Sequence, residues 1–459
     1  MGDRPLLMNL QSRLTELCKQ QQVPGAALGV LHDGDVTAVA TGVINLNTGV
    51  ETTPDTLFQI GSITKPWTAT VVMQLVEEGL VSLDEPVRTY LPGFKVADPD
   101  VSERVTLRHL LSHTSGIDGD HFEDTGRGDD CLERYVDSCA TLVQLHPLGA
   151  TMSYCNTGFS VAGRIIEVIT GKLWDDVMRE RLFAPLGLTH TCTLPEEALL
   201  FRTAAGHIKY KPDEPFRLTP VWRLPRATGP MGAVNASVAD ALTFAKLHMD
   251  GGTTPDGKQL LSAQSVVQMQ TPQIAIPNPH GLGNHWGVGW ILFDWDDHRL
   301  YGHDGNSIGQ HARLKVAPDA NLAVVLLTNG GYTDNVERAL FTEIFEELAG
   351  ITIPIPPQPP SMPPALDLSK YAGVFERLSV RIELAPQDGR LVGTAETTGS
   401  LAEIEPDPVQ KITLTPVDQA TFIVQAEGDP TTEHVAFYDF VDGVPQYLHS
   451  HSRAYPRVQ

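Results

Sequence analysis

Cysteine is scarce in this chain: five among 459 residues, at Cys18, Cys131, Cys139, Cys155 and Cys192. An odd, sparse set with no Cys-x-x-Cys excludes a disulfide scaffold and predicts reduced thiols in a cytoplasmic protein. Positive charge is also in short supply. Lys plus Arg number 33 against 56 Asp plus Glu, a net charge of −23. An acidic surface repels phosphate backbones and anionic lipid, so neither nucleic acid nor a membrane is an expected partner. No stretch approaches the ~18–20 consecutive apolar residues of a spanning helix. The opening MGDRPLLMNLQSRLTELCKQQQ carries charges and amides every few residues, without the apolar run of a signal peptide, so the sequence does not read as a secretory precursor. No repeat of 20–50 residues is visible. What is present is enough apolar material, 41% of residues, to exclude a largely disordered chain.

The sharpest change of composition is Pro354–Pro364, PIPPQPPSMPP, with seven prolines in eleven residues. Proline fixes φ and lacks a donor, so this stretch predicts a stiff, extended connector. It divides the chain into 1–350, a linker at 351–366, and 367–459. The first part mixes helices and strands. Leu6–Gln21, Thr64–Glu78, Gly158–Ile169 and Val336–Leu348 carry helical apolar spacing. Gly25–Gly49 and the late segments HWGVGWILF, RLYGHDG, ARLKVAP and NLAVVLLTN read as strands. Strands near both ends of this part, with helices between, predict one α+β domain whose sheet pairs early strands with late ones. The tail alternates short strands and turns and predicts a small antiparallel barrel or sandwich. A Pro-dense boundary predicts two separately folding units.

Ser62-Ile63-Thr64-Lys65 is a Ser-x-x-Lys, a pattern expected about once by chance in a chain this long. Its context is stronger, because Phe58–Gly61 leads into a helix predicted to begin near Ser62. On a helix, i and i+3 share a face, so Lys65 lies against the Ser62 hydroxyl. A desolvated lysine has a lowered pKa and can take that proton. Tyr154-Cys155-Asn156 sits in a predicted loop before a helix, and His303-Asp304-Gly305 on a predicted strand. Together these three motifs have a joint logic. The Tyr154 phenol is a second proton handler, and the Asn156 amide orients a substrate. A strand amide near Asn306 completes an oxyanion hole with the N–H of Ser62.

Ser-x-x-Lys, Tyr-x-Asn about 90 residues later and His-x-Gly about 150 residues beyond that resemble the serine β-lactamase and penicillin-recognising enzyme superfamily. The likeness is to class C β-lactamase-like esterases, D-aminopeptidases, transacylases and related peptidases. VPGAALGVLHDG, FQIGSITKPWTA, VTLRHLLSHTSGI, MSYCNTGF, MGAVNASVADALTFA and WGVGW belong to the same resemblance, which covers about residues 5–350. It implies an antiparallel sheet flanked by helices plus a helical subdomain. The tail, opening DLSKYAGVFE, resembles the lipocalin-like barrel appended to several relatives, where it can reach over the pocket.

The resemblance implies Ser62 as the acylated nucleophile, Lys65 as its base partner and Tyr154 as the proton shuttle. Asn156 becomes the substrate-amide contact, and His303, Gly305 and Asn306 the third wall of the site. The commonest pattern there is Lys-Thr-Gly, whose lysine holds a substrate carboxylate. His303 is a weaker anchor near neutral pH. The expected activity is a serine hydrolase acting on a small-molecule ester, amide or peptide. The alternative is an acyltransferase that passes the acyl group to an amine or alcohol. A β-lactamase, a DD-peptidase or a non-catalytic binding module is less well supported. No cofactor or metal is called for, and no signal speaks to oligomeric state.

Several features compete with this reading. Gly305-Asn306-Ser307-Ile308-Gly309 matches G-x-S-x-G, but the next residues read as a strand where a nucleophile elbow needs a helix. His109 and His113 have i, i+4 spacing without the Glu of H-E-x-x-H. Cys155 reads as a small buried filler. Trp222, Trp286 and Trp290 fit a cleft rim or a core, the glycines flanking the last two favouring the rim. His311 and Arg313 fit either the cleft or solvent.

Overall fold

The computed structural model describes residues 5–211, 214–362, 364–398, 408–427 and 432–458. The chain opens with helix α1 (Pro5–Gln20), whose Leu10, Leu14, Leu17 and Cys18 are buried. A hairpin follows, β1 (Gly25–His32) and β2 (Asp35–Gly42). The helices that matter for the site are α2 (Thr64–Glu77), α3 (Asn156–Thr170) and α4 (Val238–Met249). The sheet then continues with β3 (Ile274–Ala275), β4 (His285–Trp286), β5 (Ile291–Trp295), β6 (His298–Ser307), β7 (Gln310–Ala317) and β8 (Leu322–Thr328). Helix α5 (Thr333–Ala349) ends this part.

These eight strands form one antiparallel sheet in the order β2-β1-β8-β7-β6-β5-β4-β3. The first strand therefore pairs with the last, Ala26 opposite Thr328 through His32 opposite Leu322, as the sequence predicts. Alternation explains why β1 is buried throughout. Ala26, Leu28 and Val30 point into one apolar cluster with α1 and α5, while Ala27 and Leu31 point into another with α2 and α4. In β8, Leu322, Val324 and Leu326 divide from Ala323, Val325 and Leu327 in the same way. Gly29 permits the close approach of α4, since a Cβ there would lie 2.8 Å from Leu242 Cδ1.

Residues 351–360 run without helix or strand. Beyond them lie eight further antiparallel strands in sequential order. They are β9 (Gly373–Arg377), β10 (Val380–Gln387), β11 (Arg390–Thr397), β12 (Val409–Pro416), β13 (Thr421–Ala426), β14 (Glu433–Val441), β15 (Val444–Ser450) and β16 (Arg453–Pro456). A bridge between Phe375 and Arg457, and the bond from Val458 N to Val374 O at 2.8 Å, nearly close them into a barrel. Tyr371, Phe375, Leu391, Phe422, Phe437 and Tyr455 fill its interior. This barrel is a packed core. No helix among the described residues is long and apolar enough to cross a membrane.

Candidate active site

Ser62 lies in a single 3-10 turn, Gly61–Ile63, that leads into α2. The predicted helix start is thus a tighter turn, set by Gly61 at φ 52°. Ile60 and Ile63 are fully buried and anchor the turn to the core. Helix α2 is buried on nearly all sides, and its hydroxyls are satisfied locally. Thr64 Oγ1 accepts from Val234 N at 3.1 Å and Thr68 Oγ1 donates to Pro230 O at 2.8 Å. These bonds hold the segment Gly229–Gly232 alongside Lys65.

The Lys65 side chain is wholly buried. Its Nζ lies 3.0 Å from Ser62 Oγ, 2.8 Å from Asn156 Oδ1 and 2.7 Å from the Met231 carbonyl. Burial, then the Arg453 charge, holds its pKa well below the ordinary lysine range. A neutral amine has two N–H donors and one lone pair. Asn156 Oδ1 and the Met231 carbonyl can only accept, so they take both donors. With the amine neutral, its lone pair is then left for the Ser62 hydroxyl.

Asn156 opens α3 directly, two residues earlier than the helix read from the sequence. Its Nδ2 donates to Asp120 Oδ1 at 2.9 Å, which turns Oδ1 toward Lys65. Tyr154 is buried with its phenol bonded to Ser62, and burial raises its pKa above the usual tyrosine value. Lys65 and Tyr154 are therefore pushed in opposite directions, one toward a free base and the other toward a retained proton.

Strand β6 forms the opposite wall. A Cβ on Gly305 would sit 1.9 Å from Ile60 O and 3.1 Å from Ser62 N, and a Cβ on Gly61 would sit 2.7 Å from Asn306 N. Two bare glycines thus let the amides of Ser62 and Asn306 come together. Arg313 donates to Gly305 O and to Asn306 Oδ1, both at 3.2 Å, and is itself paired with Asp334 and Glu337. His311 donates to Asn306 Oδ1 at 2.8 Å. His303 is buried, and its Nδ1–H donates to Asp304 O at 2.7 Å. Burial and the nearby Lys65 lower its pKa to about 3, so the imidazole is neutral at pH 7.

Residues 10–349 match the family model described as Beta-lactamase. The chain belongs to the beta-lactamase family. Penicillin-binding protein 4 of Amycolatopsis lactamdurans is 48% identical over 370 residues, 80% of this chain and 97% of that protein. The crystal structure of SurE superposes with a TM-score of 0.80 at 27% identity and covers 98% of this chain and 99% of that one. D-amino acid amidase from Ochrobactrum anthropi, complexed with L-phenylalanine amide, gives a TM-score of 0.61 at 26% identity, over 73% of this chain and 97% of that one.

The competing features resolve within this family frame. The Ser307 hydroxyl donates to Gln59 Oε1 at a tight hairpin between β6 and β7, which is no nucleophile elbow. Trp286 and Trp290 are fully buried, contrary to the rim position that their glycines suggested. Gly287 and Gly289 serve instead to let this segment approach Met269 O and Ala69. Trp222 lines a surface cleft with Gln59, Leu224 and Asn235. Cys155 is buried, and burial raises its thiol pKa to about 11.

Four contributors were not read from the sequence. His113 accepts from Cys155 N at 2.9 Å and stacks on Tyr154 with ring centroids 4.1 Å apart. Its positive φ of 57° left no signal in the sequence. The others are the Met231 carbonyl, Asp120 and Arg453. Arg453 comes from the barrel and lies 4.8 Å over the Tyr154 ring.

Proposed function

We propose that this protein is an acyl-serine enzyme that cleaves an ester or amide, with a D-configured aminoacyl or peptidyl group as the favoured acyl donor. The observation that carries the reading is the buried Lys65 amine, 3.0 Å from Ser62 Oγ and held there by Asn156 Oδ1 and the Met231 carbonyl. The Ser62 proton passes to Lys65 Nζ as Oγ bonds to the substrate carbonyl carbon. The resulting oxyanion rests between the N–H groups of Ser62 and Asn306. As the intermediate collapses, the leaving amine or alcohol takes a proton from the Tyr154 phenol, which Lys65 replenishes. Water then attacks the acyl-enzyme, with Lys65 and Tyr154 returning its proton to Ser62. An amine or alcohol in place of that water gives acyl transfer by the same steps.

Two things support the substrate class. SurE has been solved with D-Leu, and the amidase neighbour is named for D-amino acids. The neutral His303 is a poor anchor for a carboxylate, which disfavours penicillins and cephalosporins.

A fluorophosphonate probe followed by intact mass tests the nucleophile. Wild type should gain one label, and Ser62→Ala should gain none while keeping its circular dichroism. Persistent labelling of Ser62→Ala refutes the assignment. D- and L-leucine p-nitroanilides and a chromogenic cephalosporin test the substrate class. Preference for the L isomer or efficient cephalosporin turnover refutes that part.

A further inference from the structure

The barrel is bound to the catalytic part by charges buried beside the nucleophile. Arg377 of β9 donates to Asp118 Oδ1 at 3.0 Å and to Asp120 Oδ2 at 2.5 Å. Arg453 of β16 donates to both Asp120 oxygens, at 3.0 and 2.8 Å. Backbone bonds fasten the same place. Tyr154 N donates to Ser452 O at 2.9 Å, Ala454 N to Ser153 Oγ at 3.1 Å, and Leu378 N to Asp118 Oδ2 at 2.7 Å. Asp120 in turn receives Asn156 Nδ2, and Asn156 Oδ1 receives Lys65. The run Arg453–Asp120–Asn156–Lys65–Ser62 is unbroken.

We infer that Arg453 is a positioning residue for acyl transfer, through which the barrel sets the orientation of Asn156 and hence the direction of the Lys65 lone pair. This rests on reading Ser62 as nucleophile and Lys65 as base. An amide can present either end. Only a carboxylate at Asp120 compels Asn156 to show its oxygen to Lys65, because a carboxylate accepts from Nδ2 and offers nothing to Oδ1. A buried carboxylate stays ionised only when paired. Burial favours the protonated form of Asp120, and Arg453 with Arg377 reverses that, leaving its pKa below the usual range. Protonated or turned away, Asp120 would let Asn156 flip, and the flipped amide would aim Nδ2 at the Lys65 donors. A catalytic part cut free at the Pro-rich connector loses both arginines, so the two units are not independent in function.

The surroundings of Lys65 give the inference a readout beyond rate. Desolvation and the Arg453 cation favour the free amine, while Asp120 and Cys155 favour the ammonium. Tyr154 retains its proton, and burial holds His113 and His303 neutral. Removing Arg453 therefore moves the acid limb of the pH–rate profile to higher pH. Removing the Asp120 charge moves it to lower pH.

The test uses the full chain and an uncharged ethoxy fluorophosphonate, with the second-order labelling constant of Ser62 read by intact mass from pH 5 to 10. Arg453→Met should label at least ten-fold more slowly at pH 7, with its acid limb displaced upward. Asp120→Asn should lower the limiting rate by at least ten-fold, with its limb displaced downward. Near-UV circular dichroism confirms the fold of each. If Arg453→Met does not fold, Asp120→Asn decides alone. Wild-type rates in the folded variants overturn the inference. So does a rate loss without displacement of the limb, because a merely structural contact gives that result. A wild type that is not labelled at Ser62 refutes the acyl-serine reading instead.

Discussion

Gly305→Ala is the sharpest probe of the wall opposite Ser62. The added Cβ would lie 1.9 Å from the Ile60 carbonyl oxygen, 2.9 Å from its carbon and 3.1 Å from Ser62 N. A carbon meets a carbonyl oxygen at about 3.3–3.6 Å, so β6 and the turn must part by roughly 1.5 Å. Both contacts are backbone, and no side chain can swing away. That separation moves the amide of Asn306 from that of Ser62 and opens the proposed oxyanion hole. Losing one such donor costs about 10²–10³ in rate, and a misplacement near 1 Å has a similar effect. We expect Ser62 acylation to slow by ~10²–10³-fold, with a stability loss of ~1–3 kcal/mol from overpacking. Gly302→Ala is the control on the same strand, where a Cβ would lie 2.1 Å from Leu314 O and away from Ser62. It should cost comparable stability and far less acylation. Stopped-flow acylation by p-nitrophenyl acetate and urea unfolding measure the two quantities. A folded Gly305→Ala protein that acylates at the parental rate, or a Gly302→Ala protein equally impaired, refutes the argument.

Lys65→Met should lower acylation by ~10²–10⁴-fold while raising the melting temperature, because the buried amine is desolvated for function at a cost in stability. A melting temperature below wild type in differential scanning calorimetry would contradict this. Burial depresses the pKa values of His248, His303 and His449 to about 3 each. Their unfolded values lie near 6.5, so the fold favours the neutral form. The stability this represents is fully present above pH ~6.5 and is lost as pH falls toward 3, by up to about 1.4 kcal/mol per unit for each ring. Urea unfolding at pH 8, 6, 5 and 4 should show a steep decline, and a flat profile would refute it.

The order of Ser-x-x-Lys, Tyr-x-Asn and His-x-Gly was legible because each motif is local. Helical spacing places Lys65 one turn from Ser62, and a strand pattern places Gly305. Short apolar runs at Gly25–His32 and Leu322–Thr328 declared two strands, and the structure buries both faces of each. Turn-punctuated strands likewise declared the barrel. Other features left no local trace. Trp286 and Trp290 looked like rim residues because glycines flank them, yet those glycines exist for close packing, which periodicity does not encode. His113 carried a zinc-like spacing, and only its stacking on Tyr154 revealed its place. Arg453 meets Asp120 across 333 residues and Arg377 meets it across 257. A Pro-rich connector suggested two separately folding units and gave no sign of the charges that join them. Those charges are ordinary arginines and aspartates until folding removes them from water and makes their pairing obligatory.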